Sequence, residues 1–313
     1  MLSAEKPNGY DSLRSALEKV FDVSAFLNYP FTLEEVVNYF LPNCNMTSEG
    51  LRSLVANGIF PEIPFGIEKD FLIARPTQSL ALRMERQRFS SAKLDAASNF
   101  ASILDRLVPF IRTIAVTGSV AYGSADKWDD IDLFIVTERD RLWLSVLVAL
   151  ILVRITKMLR LRPPHLLSIC LSYVHDELGF ALDSSRNRVN PLFARELLMA
   201  KPVLGEDHYR KILERSDWVG EIYARPYQAK IHRMQREARS EKEGWALFLF
   251  FSDWAEGIVF IFLSRYLRVR AYLTNLKLKS QGEKLRLFEP RISSRSCVYT
   301  SNFYKWLHAL WGE

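Results

Sequence analysis

Between residues 111 and 138 the chain reads IRTIAVTGSVAYGSADKWDDIDLFIVTE, two apolar runs held apart by a stretch rich in glycine, serine and aspartate. The runs IRTIAVT and IDLFIVT are strand-length and rich in β-branched residues, which predicts two strands joined by a turn and a short helix. Downstream, RLWLSVLVALILVRITKML reads as a helix and HLLSICLSYV as a further strand. This alternation of strand and helix predicts a mixed sheet covered by helices.

Chemistry concentrates at the junction. The strand Ile114–Thr117 delivers Gly118 and Ser119 to a turn that opens a helix, where free backbone N–H groups, the helix dipole and a hydroxyl can face phosphate oxygens. Asp130 and Asp132 flank Ile131 at the start of the next strand. Strand alternation sends both carboxylates to one face and Ile131 to the other. Two hard anionic ligands on one rigid strand suit Mg²⁺, whose shell is completed by water and substrate phosphates. Asp126 and Asp129 read as turn or cap residues. Of the cations nearby, Lys127, Arg139 and Arg141, the last is the best candidate for a phosphate contact.

Gly118-Ser119, the gap of residues 120 to 129, and Asp130-Ile131-Asp132 together resemble the signature of the polymerase-beta-like nucleotidyltransferase superfamily. The resemblance extends to DDIDLFIVTERDRLWL, SICLSYVHDEL, FARELLMAKPVLGEDHY and LFEP, which look like a group of nucleotidyltransferase-domain proteins with an N-terminal winged-helix-like segment and a helical tail. It implies an α+β nucleotidyltransferase core and a nucleoside triphosphate as substrate. It also implies Mg²⁺ or Mn²⁺ on Asp130 and Asp132, with Gly118 and Ser119 on the nucleotide. Members of the superfamily usually supply a third carboxylate from a later strand. The corresponding strand, HLLSICLSYV, offers Ser168, Cys170 and Ser172 instead, with Asp176 and Glu177 just beyond it.

The flanking regions divide the chain into three expected units. Residues 1–77 form a winged-helix-like module: Thr32 and Glu35 have the spacing of a capping box, SEGLRSLVANG reads as a second short helix, and IFPEIPFGIEKDFLI as two extended runs. Residues 78–180 hold a linking helix and the core, and residues 181–313 a helical region whose charge runs read as solvated faces. No dense basic run occupies the module's second helix, so DNA binding takes second place to a scaffold or homodimer contact.

Other chemistries find little support. Ser124-Ala125 stand where a P-loop requires Lys and Ser or Thr, the five histidines show no HExxH spacing, and no GxSxG elbow occurs. Three cysteines, Cys44, Cys170 and Cys297, have no CxxC spacing, which fits a reducing cytoplasm. The first twenty residues lack the basic start and apolar run of a secretory signal. Trp143 to Val153 is too short to cross a bilayer, and Trp245 to Leu263 carries Asp253 and Glu256, so both read as buried helices and membrane insertion is not expected. Nucleotidyl transfer to an acceptor that is a small molecule, an RNA or a protein is the leading reading. A silent nucleotide-binding protein and a DNA-binding regulator that senses a nucleotide are its rivals.

Overall fold

The computed structural model describes residues 8–41, 46–61, 63–74, 78–159, 163, 166, 168–188, 190–234 and 246–311. Cys44, His165, Trp245 and positions 235–244 of the basic stretch that begins at Arg225 lie outside them.

The N-terminal part runs α1 (Asn8–Leu27), β1 (Phe31–Thr32), α2 (Leu33–Tyr39), α3 (Ser48–Ala56), β2 (Gly66–Glu68) and β3 (Phe71–Ile73), with the strands ordered β1-β3-β2 in an antiparallel sheet. Helix α2 begins at a complete capping box: the Glu35 amide donates to Thr32 Oγ1 at 3.0 Å, and the Thr32 amide donates to Glu35 Oε2 at 2.7 Å. Helix α1 and strand β1 add to the two helices and the ribbon legible in the sequence. Leu17 and Val20 of α1 are buried among Val36, Leu51 and Leu72. Arg52, the only Lys or Arg of α3, donates to the Lys69 carbonyl at 2.7 Å and pairs with Asp70, so this helix presents no free cation.

Helix α4 (Leu80–Leu107) links this module to the core. Its Arg83 pairs with Glu35 at 2.8 Å and donates to the Pro30 carbonyl at 2.6 Å. The core follows with β4 (Ile111–Thr117), α5 (Gly118–Tyr122), β5 (Ile131–Thr137), α6 (Leu142–Met158), β6 (Ile169–Asp176), α7 (Glu177–Arg186), α8 (Pro191–Met199), β7 (Lys201–Leu204) and α9 (Glu206–Glu214). Then come α10 (Trp218–Ile222), α11 (Ala224–Arg233), α12 (Ala246–Ser280), β8 (Phe288–Ile292), β9 (Ser296–Ser301) and α13 (Asn302–Trp311). Six strands form one mixed sheet in the order β7-β4-β5-β6-β9-β8, in which β5 and β6 are parallel and the other pairs antiparallel.

Three of these strands correct the reading of residues 181–313 as wholly helical, and they carry the core sheet past residue 180. For β7 and β8 the physical reason is their position. Both β7 and β8 are sheet edges, short, and interrupted by Pro202 and Pro290, residues that edge strands tolerate and that erase the alternating pattern.

Alternation along the central strands builds a core on each side of the sheet. Ile114, Val116, Ile131, Leu133 and Ile135 join α4, α6 and α12 on one side, whereas Ala115, Phe134 and Val136 join α7, α8 and α9 on the other. Asp132 has the parity of Phe134, which aims it at the side covered by α8.

Glu256 explains a charge inside a greasy helix. Helix α6 has no side-chain cap of its own, and Glu256 of α12 accepts its first amides, from Trp143 at 2.5 Å and Leu144 at 2.9 Å. The expectation that the Trp245 helix is buried is corrected in one respect. Leu263, Leu267 and Ala271 face the core, but Trp254, Phe262 and Tyr266 are exposed, because α12 packs along one side only. Among the described residues no helix is long and apolar enough to cross a membrane. Replacing Glu256 by Ala strands two helix-start amides, one of them buried. The expected loss is about 1–3 kcal/mol of unfolding free energy, read from urea denaturation followed by circular dichroism.

Candidate functional site

Strands β4 and β5 pair antiparallel with Thr117 opposite Asp132, so the turn that leaves β4 and the start of β5 share one end of the sheet. Gly118 sits in that turn with φ +64°, in the left-handed region that glycine adopts without penalty. A Cβ at this position would stand 2.6 Å from Asp132 Oδ2. Glycine is therefore required twice, by backbone conformation and by the approach of the carboxylate. Ser119 follows in the first turn of α5, whose N-cap, Thr117, caps no amide of the helix with its side chain and instead donates through Oγ1 to the Asp132 carbonyl at 3.5 Å.

Asp130 is exposed and Asp132 half-buried, while Ile131 between them is buried in the opposite core. The expected alternation thus brings the two aspartates to the same face, beside Gly118 and Ser119. Each carboxylate also meets a hydroxyl, with Ser168 Oγ, just before β6, donating to Asp130 Oδ1 and Ser172 Oγ, within β6, donating to Asp132 Oδ1. Cys170 is the register neighbour of Asp132. The Asp132 carboxyl is pushed up to about 7 by burial; the Ser172 hydrogen bond opposes that rise, and the charges of Asp130, Glu196 and Asp129 add to it.

The loop before β5 is held by α4. The Ala125 amide donates to Ser90 Oγ at 3.1 Å, and Lys93, a fully buried lysine, donates through Nζ to the Asp129 carbonyl. Burial lowers the Lys93 pKa, against the raising effect of Asp129, Asp130 and Asp126. Asp126 and Asp129 are turn residues as expected: the Asp126 amide donates to Asp129 Oδ2 at 2.9 Å.

Glu196 of α8 is the residue that sequence reasoning passed over. Its Oε1 accepts from the Tyr122 hydroxyl, and its Oε2 accepts from the Gly118 amide at 3.5 Å. Burial raises its pKa, opposed by the Tyr122 hydrogen bond and by the adjacent Arg195. Arg195 itself is buried, with its guanidinium over the Tyr122 and Phe40 rings at 5.4 and 5.1 Å. A signal was available: Arg195-Glu196 is a charged pair inside the otherwise apolar helix PLFARELLM.

Three candidates lie elsewhere. Arg141 follows the C-terminal end of β5, five strand residues beyond Asp132 or roughly 16 Å along the sheet, and rests on the Phe110 ring at 5.4 Å. Its place beyond the end of β5 puts the expected phosphate contact at the wrong end of the strand. Asp176 closes β6 at that same far end, where it caps α7 by accepting from the Gly179 amide at 2.7 Å and pairs with Arg295 at 2.7 Å. Glu177 lies 3.8 Å from Arg112. Of the candidates for a further ligand, Ser172 alone reaches Asp132.

The donor set is two carboxylates and two hydroxyls, all hard oxygens, which fits Mg²⁺ or Mn²⁺ better than a softer metal. Among the described residues no group of three His, Cys, Asp or Glu side chains is placed to hold a metal ion. Two protein carboxylates with water and phosphate completing the shell is an ordinary arrangement for Mg²⁺.

Residues 97–227 match the family model of the nucleotidyltransferase domain, a span that runs from the second half of α4 into α11 and contains β4, β5, β6, β7 and Glu196. No curated protein and no solved structure matches the chain.

Gly118 and Gly58 separate the two demands on glycine, since Gly58 has φ +61° with nothing within 4 Å of its missing Cβ. Gly58→Ala is expected to cost about 1–2 kcal/mol, the left-handed strain alone, and Gly118→Ala more. In a double-mutant cycle by denaturation, Asp132→Ala recovers the excess at Gly118, and strictly additive costs would contradict the close approach.

Proposed function

We propose, from the premise that residues 97–227 are a nucleotidyltransferase domain consistent with the polymerase-beta-like superfamily, that the protein moves a nucleoside monophosphate from an NTP to an acceptor. The observation that carries this reading is the meeting of the Gly118-Ser119 turn with the Asp130 and Asp132 carboxylates at one end of β4 and β5.

In this reading the acceptor oxygen attacks the α-phosphorus, the bond from that phosphorus to the bridging oxygen breaks, and pyrophosphate leaves. The amides of the α5 turn and the Ser119 hydroxyl bind the β and γ phosphates. Asp130 and Asp132 would hold Mg²⁺ or Mn²⁺, which when bound neutralises charge on the phosphates. Ser168 and Ser172 fix the rotamers of the two carboxylates, and Lys93 fixes the loop that precedes them. Glu196 is a positioning residue, holding the Gly118 amide and the Tyr122 hydroxyl. Positioning and electrostatics supply most of the rate in phosphoryl transfer, and the same division is assumed for this chemistry.

A second reading, nucleotide binding without turnover, draws on the composition of β6 and the residue that precedes it. Ser168, Cys170 and Ser172 stand where a third carboxylate is usual, and Asp176 is tied into the cap of α7. DNA recognition by the N-terminal part has less support, because Arg52 of α3 is already paired.

Incubation with each NTP labelled at the α phosphate, Mg²⁺ or Mn²⁺, and a cell extract tests the first reading. Label is expected in an acceptor with wild type and is expected to fall by about a hundredfold or more in Asp130→Ala and Asp132→Ala, the scale of removing one stabiliser of transition-state charge. Undiminished labelling by the double variant would overturn the assignment. Binding without label in any product would favour the second reading.

A further inference from the structure

Helix α12 has a second face that neither the core nor the proposed nucleotide site uses. Trp254, Ile258, Ile261, Phe262, Tyr266, Val269, Tyr272, Leu273 and Leu276 are all exposed, Trp254 to 81 % and Phe262 to 70 %. At 3.6 residues per turn these positions cover roughly 140° of the helix surface over about 33 Å of its length. So large a contiguous apolar surface signals an interaction.

The charge around it is of one sign. From Gly257 to Gly282 there is no Asp or Glu, while Arg265, Arg268, Arg270, Lys277 and Lys279 occur within that stretch and are exposed. On the helical projection Arg268 and Lys279 fall along one margin of the apolar arc, Arg270 and Lys277 along the other, and Arg265 within it. We propose that this face of α12 docks on the surface of a bilayer containing anionic lipid, with the helix lying in the plane of the interface.

A wide apolar arc bordered by cations is what an interfacial helix requires: the apolar side chains enter the acyl boundary while the Lys and Arg heads remain with the lipid phosphates. The rings of Trp254, Tyr266 and Tyr272 combine an apolar body with a polar group, which suits them to headgroup depth. A second copy of the chain is the strongest rival, because Phe262, Tyr266, Val269, Leu273 and Leu276 follow the four-three spacing of a coiled-coil seam. The positions that flank such a seam are Arg265, Arg270, Lys277 and Lys279, so two copies would set like charges against each other. An acidic helix of another protein would cover a narrower stripe and leave much of the 140° arc wet. The face rests on the surface and does not insert, in keeping with the lack of a membrane-spanning helix among the described residues.

Flotation of the full chain with vesicles of phosphatidylcholine, alone or mixed with phosphatidylserine, tests the assignment. Wild type is expected to float with the mixed vesicles, with about tenfold weaker binding to pure phosphatidylcholine and a loss of binding at high salt. Two triple variants change exposed side chains only: Phe262→Ser with Tyr266→Ser and Leu273→Ser, and Arg265→Glu with Arg270→Glu and Lys277→Glu. Each is expected to remain folded by circular dichroism and to lose flotation. Failure of folded wild type to float with mixed vesicles, or flotation unchanged in both variants, would overturn the proposal. So would a dimer, seen by light scattering, that the serine triple splits, since a second copy would then cover the face.

Discussion

The contact between Gly118 and the Asp132 carboxylate fixes the geometry at the end of the sheet. Antiparallel pairing of β4 with β5 sets Thr117 against Asp132, and the missing Cβ of Gly118 lets the carboxylate come within a distance no other residue would allow. The turn with its amides and the aspartates with their charge are thereby held on one rigid scaffold. Neither side depends on a long loop. Ser172 of β6 and Ser168 just before it complete the arrangement from the parallel neighbour, and Glu196 completes it from the helix that covers this side of the sheet.

The electrostatics of this end of the sheet follow from the same packing. Asp130, Asp132 and Glu196 accumulate negative charge, and the nearest buried cations are used for structure. Lys93 is bound to the Asp129 carbonyl, and Arg195 lies over Tyr122 and Phe40. Such an arrangement favours a cationic ligand at the two aspartates, which is the property the proposed function draws upon.

Local chemistry made part of this legible in the sequence. The capping box at Thr32 and Glu35, the Gly118 turn, and the opposed faces of Asp130 and Ile131 all follow from residue type and spacing within a few positions. What escaped depends on partners far apart in the chain. Glu196 reaches Gly118 only after the chain has passed through β6 and α7, and Lys93 reaches Asp129 from the preceding helix. Strands β7 and β8 were hidden because they are short, contain proline and lie at the sheet edges. Arg141 was misplaced for a topological reason: nearness to Asp132 along the chain hid the length of β5, which carries the two residues to opposite ends of the sheet. The task of Glu256, capping α6, is visible only once the two helices are packed together.

Calorimetric titration of the intact protein with a non-hydrolysable NTP, with Mg²⁺ and again with EDTA, isolates binding from turnover and from the identity of any acceptor. Binding is expected with Mg²⁺, strongly reduced with EDTA, and lost in a variant carrying both Asp130→Ala and Asp132→Ala. Equal affinity with and without the metal, or retained binding in the folded double variant, would contradict a nucleotide and metal site at the meeting of Gly118 and Asp132.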